Sequence, residues 1–300
     1  MIAYKEIKSI LNKHKKRDSW FLDDYSINPY EGCGFNCTYC YVHGSKYGEN
    51  LAEKIVIKKD AAAILDKQLA NRAGKNQFGF IAVGSATDAY MQLEEEIGLT
   101  KELLEVILKH RFPVFISTKS ELIKRDSDLL KQIDVNAILP EDLKQNPGRG
   151  VIISFSFSTL DEKLAKQIEP GAPPPQKRLE TLKFCSDQGF LVGVNAMPLL
   201  PYISDTGEEI EKIVAAAKQY GANYILIAGL TLFGNDVPVA IGSDSKQLVF
   251  RFLRSNYPDL LEKYEKMYGS VHYSSWRYQQ ELKKRGDTLC EKYKIKNSIC

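Results

Sequence analysis

Three of the six cysteines fall within eight residues, Cys33, Cys37 and Cys40 in the segment INPYEGCGFNCTYCYVHG, while Cys185, Cys290 and Cys300 are scattered. Thiolates are the usual ligands of iron–sulfur clusters, and a short loop with two glycines can wrap around one. Three cysteines leave one iron of a four-iron cluster open. An open metal position is a reaction site, by the logic that separates catalytic from closed structural zinc. The competing readings are a structural zinc site with His43 as fourth ligand, or three unconnected core thiols. Against zinc, the chain has no second CxxC pair and no paired histidines.

If the amino and carboxylate groups of S-adenosylmethionine chelate the open iron, an electron from the cluster can break the sulfonium carbon–sulfur bond. The product is a 5′-deoxyadenosyl radical. Such a loop needs a scaffold. Apolar, β-branched runs recur with helical segments between them, the pattern of βαβ units on a parallel sheet. Strands are expected at Tyr25–Pro29, Phe78–Gly84, Val114–Thr118, Val151–Phe157, Leu191–Ala196 and Tyr224–Ala228. That makes six βα units, and Thr87, Asp88, Lys119, Ser156 and Asn195 fall at strand carboxyl ends, where α/β barrels carry function.

Helices are expected over Asp60–Ala70, over KELLEVILKH with Thr100 as cap, and from Asp205 to Tyr220. Pro140–Gly150 reads as a loop, and Pro170–Pro175 as a rigid stretch that cannot be helix interior. Beyond about Gly242 the rhythm stops. The expected organisation is a barrel domain over 1–242 and a mainly helical extension over 243–300 that covers it.

No apolar run approaches the ~20 residues that cross a bilayer, and the start, MIAYKEIKSILNKHKKR, has no signal-peptide pattern. A cytoplasmic protein without membrane partners is expected, with free thiols and no disulfide framework. A net charge of +3 is too small to point to nucleic acid by itself.

The segment Cys33-x3-Cys37-x2-Cys40, with Tyr39 before the last cysteine, resembles the signature of the radical S-adenosylmethionine superfamily. Within it the chain is similar to spore photoproduct lyase and its relatives, often labelled DNA repair photolyase-like. The likeness runs from about Lys8 to Gly229 through NPYEGCGFNCTYCY, TDAYMQLE, STKS, ISFSFSTLDE and EPGAPPPQKRLE. It implies a partial (β/α)6 TIM-type barrel, a [4Fe-4S] cluster on the three cysteines, S-adenosylmethionine as cofactor, and a flavodoxin or ferredoxin as electron donor. By resemblance, the backbone near Tyr39 and Tyr41 approaches the adenine, Thr87 and Asp88 the methionine amino group, and Lys119 and Ser156 the carboxylate and ribose. Arg178 and Ala196 are weaker candidates.

Each has a plainer reading. Lys119 reads equally as a solvated loop charge, Asp88 as a helix cap, Arg178 as a helix-surface residue and Glu94 as a first-turn acid. One departure matters. Spore photoproduct lyases carry a hydrogen-donating cysteine after the second strand, whereas this chain has Gly84-Ser85-Ala86-Thr87-Asp88 and no cysteine between Cys40 and Cys185. Serine O–H and alanine C–H bonds are too strong to replace a thiol, so spore photoproduct is not the expected substrate.

The leading expectation is a radical enzyme acting on nucleic acid or a nucleotide. The basic runs Lys13–Arg17 and Lys283–Arg285, near Tyr273, Trp276 and Tyr278, are compatible with that or with a solvated charged face. Radical modification of a peptide, protein or small metabolite is the alternative. A non-catalytic metal- or nucleic-acid-binding protein is a third reading and predicts no S-adenosylmethionine cleavage.

Overall fold

The computed structural model describes residues 1–43, 51, 54–234 and 244–300. Six strands lie side by side in chain order: β1 (Asp23–Ile27), β2 (Phe80–Val83), β3 (Val114–Thr118), β4 (Val151–Phe157), β5 (Leu191–Leu199) and β6 (Tyr224–Gly229). Every pairing between them is parallel. Strands covered on both faces read as near-continuous apolar runs, as FIAV and VIISFSF do.

Helices α1 (Ala61–Ala73), α2 (Leu99–His110), α3 (Ser127–Asn136), α4 (Pro175–Asp187), α5 (Gly207–Gln219) and α6 (Ser245–Asn256) follow the six strands in turn. Their apolar stripes cover the outer face of the sheet. On α2, Leu103, Leu104 and Ile107 are fully buried, each contributing roughly 1.5–3 kcal/mol. The inner face is a smaller cluster of Phe80, Ala82, Phe115, Ile152, Tyr224 and Leu226. Among the described residues β1 and β6 do not pair, so the sheet curves without closing. The fold is a partial (β/α)6 barrel.

A short antiparallel strand, Asn12–Lys13, lies against β1. A second sheet joins Ile2–Lys5, Ile55–Lys58 and Tyr30–Glu31 beside the cysteine loop. The terminal helix Trp276–Tyr293 packs along α5 and β6, and Ile225 N donates to Lys296 O at 2.9 Å. The expected boundary at 242/243 lies outside the described residues.

Local details differ from expectation for physical reasons. Thr100 sits inside α2 and does not cap it. Its hydroxyl donates to Ala89 O at 2.6 Å, and the Glu94 carboxylate accepts from Thr100 N at 2.9 Å. α5 begins at Gly207, two residues later than expected, with Thr206 as its cap, while Asp205 is held by Tyr202 N and the Tyr278 hydroxyl. Pro175 opens α4 at the first position, where a missing N–H costs nothing.

Candidate active site

The cysteine loop follows β1 and is held by backbone, not by its thiols. Cys33 N donates to Leu51 O at 2.7 Å, Thr38 N to Ile168 O at 2.8 Å, and Gly171 N to Phe35 O at 3.1 Å. Gly32 has φ +83°, and a Cβ there would lie 2.5 Å from Lys54 O. Only glycine fits that corner. Asn36 takes the left-handed conformation that turns the chain between the first two cysteines.

All three thiols line one cleft of about 460 Å³ at the carboxyl ends of the strands. Burial pushes the Cys33 thiol up to about 11 and raises Cys37 and Cys40 as well. Metal binding there must release protons. His43 Nε2 faces Cys37 O at 3.0 Å, and the imidazole does not line the cleft that holds the three thiols. Among the described residues no three His, Cys, Asp or Glu groups are close enough to share one metal ion.

The strand-end residues converge on the same cleft. Thr87, Asp88, Lys119, Ser156, Tyr39 and Tyr41 all line it, and so does Asn195. Ala196 does not: its side chain packs in the layer between sheet and helices. Alternation along β5 sends Asn195 inward and Ala196 outward. Asp88 accepts from Thr118 Oγ1, Lys119 N and Tyr90 N at 2.7, 2.8 and 2.9 Å, tying the ends of β2 and β3 together. Tyr41 donates to Ser85 O at 2.5 Å. Asn195 Nδ2 donates to Ser117 Oγ at 2.9 Å, and Ser117 Oγ lies 3.1 Å from Ser156 Oγ, a polar row across β3, β4 and β5. The buried Asn195 Oδ1 has no partner. An orphaned acceptor facing a cleft asks for a ligand donor.

Beside this row is a buried ionic network centred on Glu169. Arg178 Nη2 meets Glu169 Oε2 at 2.5 Å, Lys119 Nζ lies 3.9 Å from Oε1, and the Tyr39 hydroxyl donates to the same carboxylate. Arg178 also donates to Pro173 O at 2.8 Å and Ser156 O at 3.0 Å. Arg178 is 1% exposed, so its plainer reading as a helix-surface residue is overturned. Lys119 is not a solvated loop charge either, with 14% of its side chain exposed. Glu94 is no mere first-turn acid: it is fully buried, pairs with Arg125 at 2.7 Å and accepts the Tyr30 hydroxyl.

Sequence reasoning missed Glu169. Its one signal was its place directly before the Pro170–Pro175 run, where a rigid chain fixes a side chain without helix or strand. The scattered cysteines do not assemble. Cys185 is buried between α4 and the sheet, Cys300 is exposed, and Cys290 lines a second cavity of about 470 Å³ along the free edge of β6. That cavity shares Ala228, Gly229 and Thr231 with the cysteine cleft and is also lined by Trp20, Gln279 and Lys283.

A parallel partial barrel with a three-cysteine loop over its strand ends defines a class of cluster-dependent α/β proteins. Residues 27–217 match the family model of the radical SAM superfamily, and the chain belongs to that superfamily. Its cofactors are therefore a [4Fe-4S] cluster and S-adenosylmethionine, and it needs a reductant. The residues on the page fit that pair: two buried thiols and one half-buried thiol, one ammonium and one orphaned acceptor on a single cleft. The chain is 26% identical over 277 residues to the uncharacterized protein Rv2578c of Mycobacterium tuberculosis, covering 90% of this chain and 75% of the relative. It is 26% identical over 242 residues to the uncharacterized protein MJ0683 of Methanocaldococcus jannaschii, covering 79% and 78%. Spore photoproduct lyase complexed with dinucleoside spore photoproduct has a similar fold, with TM-score 0.67 and 14% identity over 97% of this chain and 79% of that one. Among the described residues no helix is long and apolar enough to cross a membrane.

Proposed function

We propose that this protein is a radical S-adenosylmethionine enzyme that removes a hydrogen atom from a substrate held between the cysteine cleft and the cavity at the β6 edge. When bound, the cluster and cofactor supply a 5′-deoxyadenosyl radical. The single observation that carries the reading is the convergence of Cys33, Cys37 and Cys40 with Lys119 and the unpartnered Asn195 Oδ1 on one cleft.

In this reading Lys119 receives the cofactor carboxylate. Asn195, Ser117 and Ser156 offer the row of donors and acceptors suited to a ribose, and Asp88 accepts from its amino group. The buried aromatic wall of Phe35 and Tyr39 excludes water from the reacting atoms.

The favoured substrate is a nucleic acid or nucleotide, because a protein of this fold binds a dinucleoside photoproduct. Spore photoproduct itself is disfavoured, since the cysteine cleft holds no thiol beyond the three loop cysteines among the described residues. The β6-edge cavity sets Lys283 against Asp287, and the cysteine cleft sets Lys119 against Asp23 and Asp88, so neither cavity is basic. Affinity for a polyanion would then rest on a basic rim made by the runs Lys13–Arg17 and Lys283–Arg285 and weaken as salt rises. A flavodoxin or ferredoxin is the proposed reductant.

The test is anaerobic reconstitution with iron and sulfide, followed by dithionite and S-adenosylmethionine. Formation of 5′-deoxyadenosine is expected in the native protein and lost when Cys33, Cys37 and Cys40 are all alanine. A fully loaded four-iron cluster that yields none overturns the reading.

A further inference from the structure

The turn Ile168–Gly171 is built directly against the cysteine loop. Thr38 N and Gly171 N bond across the two segments, and a Cβ on Gly171 would lie 2.1 Å from Gly34 O and 2.9 Å from Phe35 Cα. Gln92 Nε2 donates to Gly171 O at 2.6 Å, fixing the turn from the other side. Glu169 projects from this turn into a fully buried position, where one carboxylate meets the Tyr39 hydroxyl of the cysteine loop, the Arg178 guanidinium of α4 and the Lys119 ammonium at the end of β3.

We propose that Glu169 is the positioning residue of the cofactor site, holding the Lys119 ammonium in register with the cysteine loop so that carboxylate binding and the cluster share one geometry. The inference rests on the proposed radical S-adenosylmethionine chemistry and deepens it.

Three features support the role. Lys119 Nζ also lies over the Tyr39 ring at 6.0 Å, so Glu169 and Tyr39 bracket the ammonium from two sides. Burial by itself would raise the Glu169 carboxyl, but Lys119 and Arg178 outweigh it and hold it below the usual carboxylate range. Arg178, anchored on Ser156 O and Pro173 O, pairs with Glu169 Oε2, and the Tyr39 hydroxyl donates to Oε1. Lys119, at the longer distance of 3.9 Å, keeps donors free for a ligand. A lysine has four rotatable bonds and loses that orientation when its counter-charge is removed.

The test is Glu169→Gln, which keeps the shape and a hydrogen bond to Tyr39 but deletes the charge, compared with native protein after cluster loading. Calorimetric titration with S-adenosylmethionine is expected to show about tenfold weaker binding, ~1.4 kcal/mol, with kcat changed less than about threefold. The cluster midpoint potential should move positive, because a nearby negative charge is gone. In a Lys119→Met background the same substitution should change Kd less than about twofold, since effects passing through one partner do not add.

Unchanged Kd in the single variant, or a full additive loss in the double variant, overturns the role. If Glu169→Gln fails to load iron, Arg178→Lys replaces it. That variant leaves the carboxylate charged but loosely held and should weaken binding about threefold, and native affinity there overturns the proposal. Native protein that loads a cluster yet binds no S-adenosylmethionine refutes the proposed function, and this inference with it.

Discussion

Gly171→Ala tests how tightly the cysteine loop is templated. Gly171 is glycine for space and not for φ, since it is absent from the positive-φ glycines, and the atoms that an added methyl would meet are backbone. At 2.1 Å from Gly34 O, the methyl falls about 1.3 Å short of the 3.4 Å at which ordinary contact begins. Neither wall is a flexible side chain, so the turn and the loop must separate. A shift of ~1 Å takes Gly171 N–Phe35 O and Thr38 N–Ile168 O beyond hydrogen-bonding range. Two lost bonds cost about 1 kcal/mol each, and overpacking adds roughly 1–3 kcal/mol. The expected destabilisation is about 3–5 kcal/mol, or roughly 6–10 °C in Tm for a domain of this size. Differential scanning calorimetry of the cluster-free protein measures it, and iron content after reconstitution should fall in parallel. Gly207→Ala is the control: nothing lies within 4 Å and the residue opens α5, so Tm should hold or rise slightly. Gly171→Ala with a Tm within about 1 °C of native and a full cluster would refute the idea that this turn shapes the loop.

Asn195→Ala should weaken S-adenosylmethionine binding about tenfold while Tm falls only about 2–4 °C, because Oδ1 is unpartnered before the ligand arrives and only the Nδ2–Ser117 bond is lost; calorimetry and thermal unfolding together check this. Arg125→Met strands the buried Glu94 and Asp126 carboxylates and should cost about 2–4 kcal/mol by urea unfolding, discounted for the partial exposure of Arg125. Iron removal by a chelator should leave the far-UV circular dichroism unchanged, because backbone bonds to Leu51, Ile168 and Gly171 hold the loop without it. A basic rim that binds nucleic acid should show affinity for a short oligonucleotide that falls as salt rises, whereas salt-independent affinity would favour a peptide or metabolite substrate.

Legibility in the sequence followed the range of the interactions. β3 and β4 match the expected spans residue for residue, because VFIST and VIISFSF are buried runs ended by polar residues. β1 ends two residues earlier than expected, where Asn28 turns its side chain to Ser85 and Ala86 and leaves the ladder. Thr87, Asp88, Lys119 and Ser156 were legible because in a parallel sheet the strand end is itself a location. Glu169 was not, and Arg178 was only a weaker candidate, because their pairing depends on where an irregular proline-rich segment crosses the barrel. Nor was the direction of Ala196, which one residue of strand register decides.

The distribution of these groups separates two tasks. Residues from the cysteine loop and the ends of β2 to β5 make the cofactor cleft, and they are locked by Asp88, Glu169 and the Gly171 turn. β6 contributes Ala228 and Gly229 to the cleft wall, and its outer edge borders the cavity shared with Trp20 and the terminal helix. A side chain locked by three buried partners has little room to adapt to a new ligand, whereas exposed Gln280 and Lys283 have none of that restraint from the barrel core. On the proposed function, substrate choice would fall to the β6 edge and the terminal helix. Substitutions at Gln280 or Lys283 should alter substrate turnover while leaving substrate-free cleavage of S-adenosylmethionine at the native rate, and a parallel loss of both would place the cofactor cleft and the substrate surface in one unit.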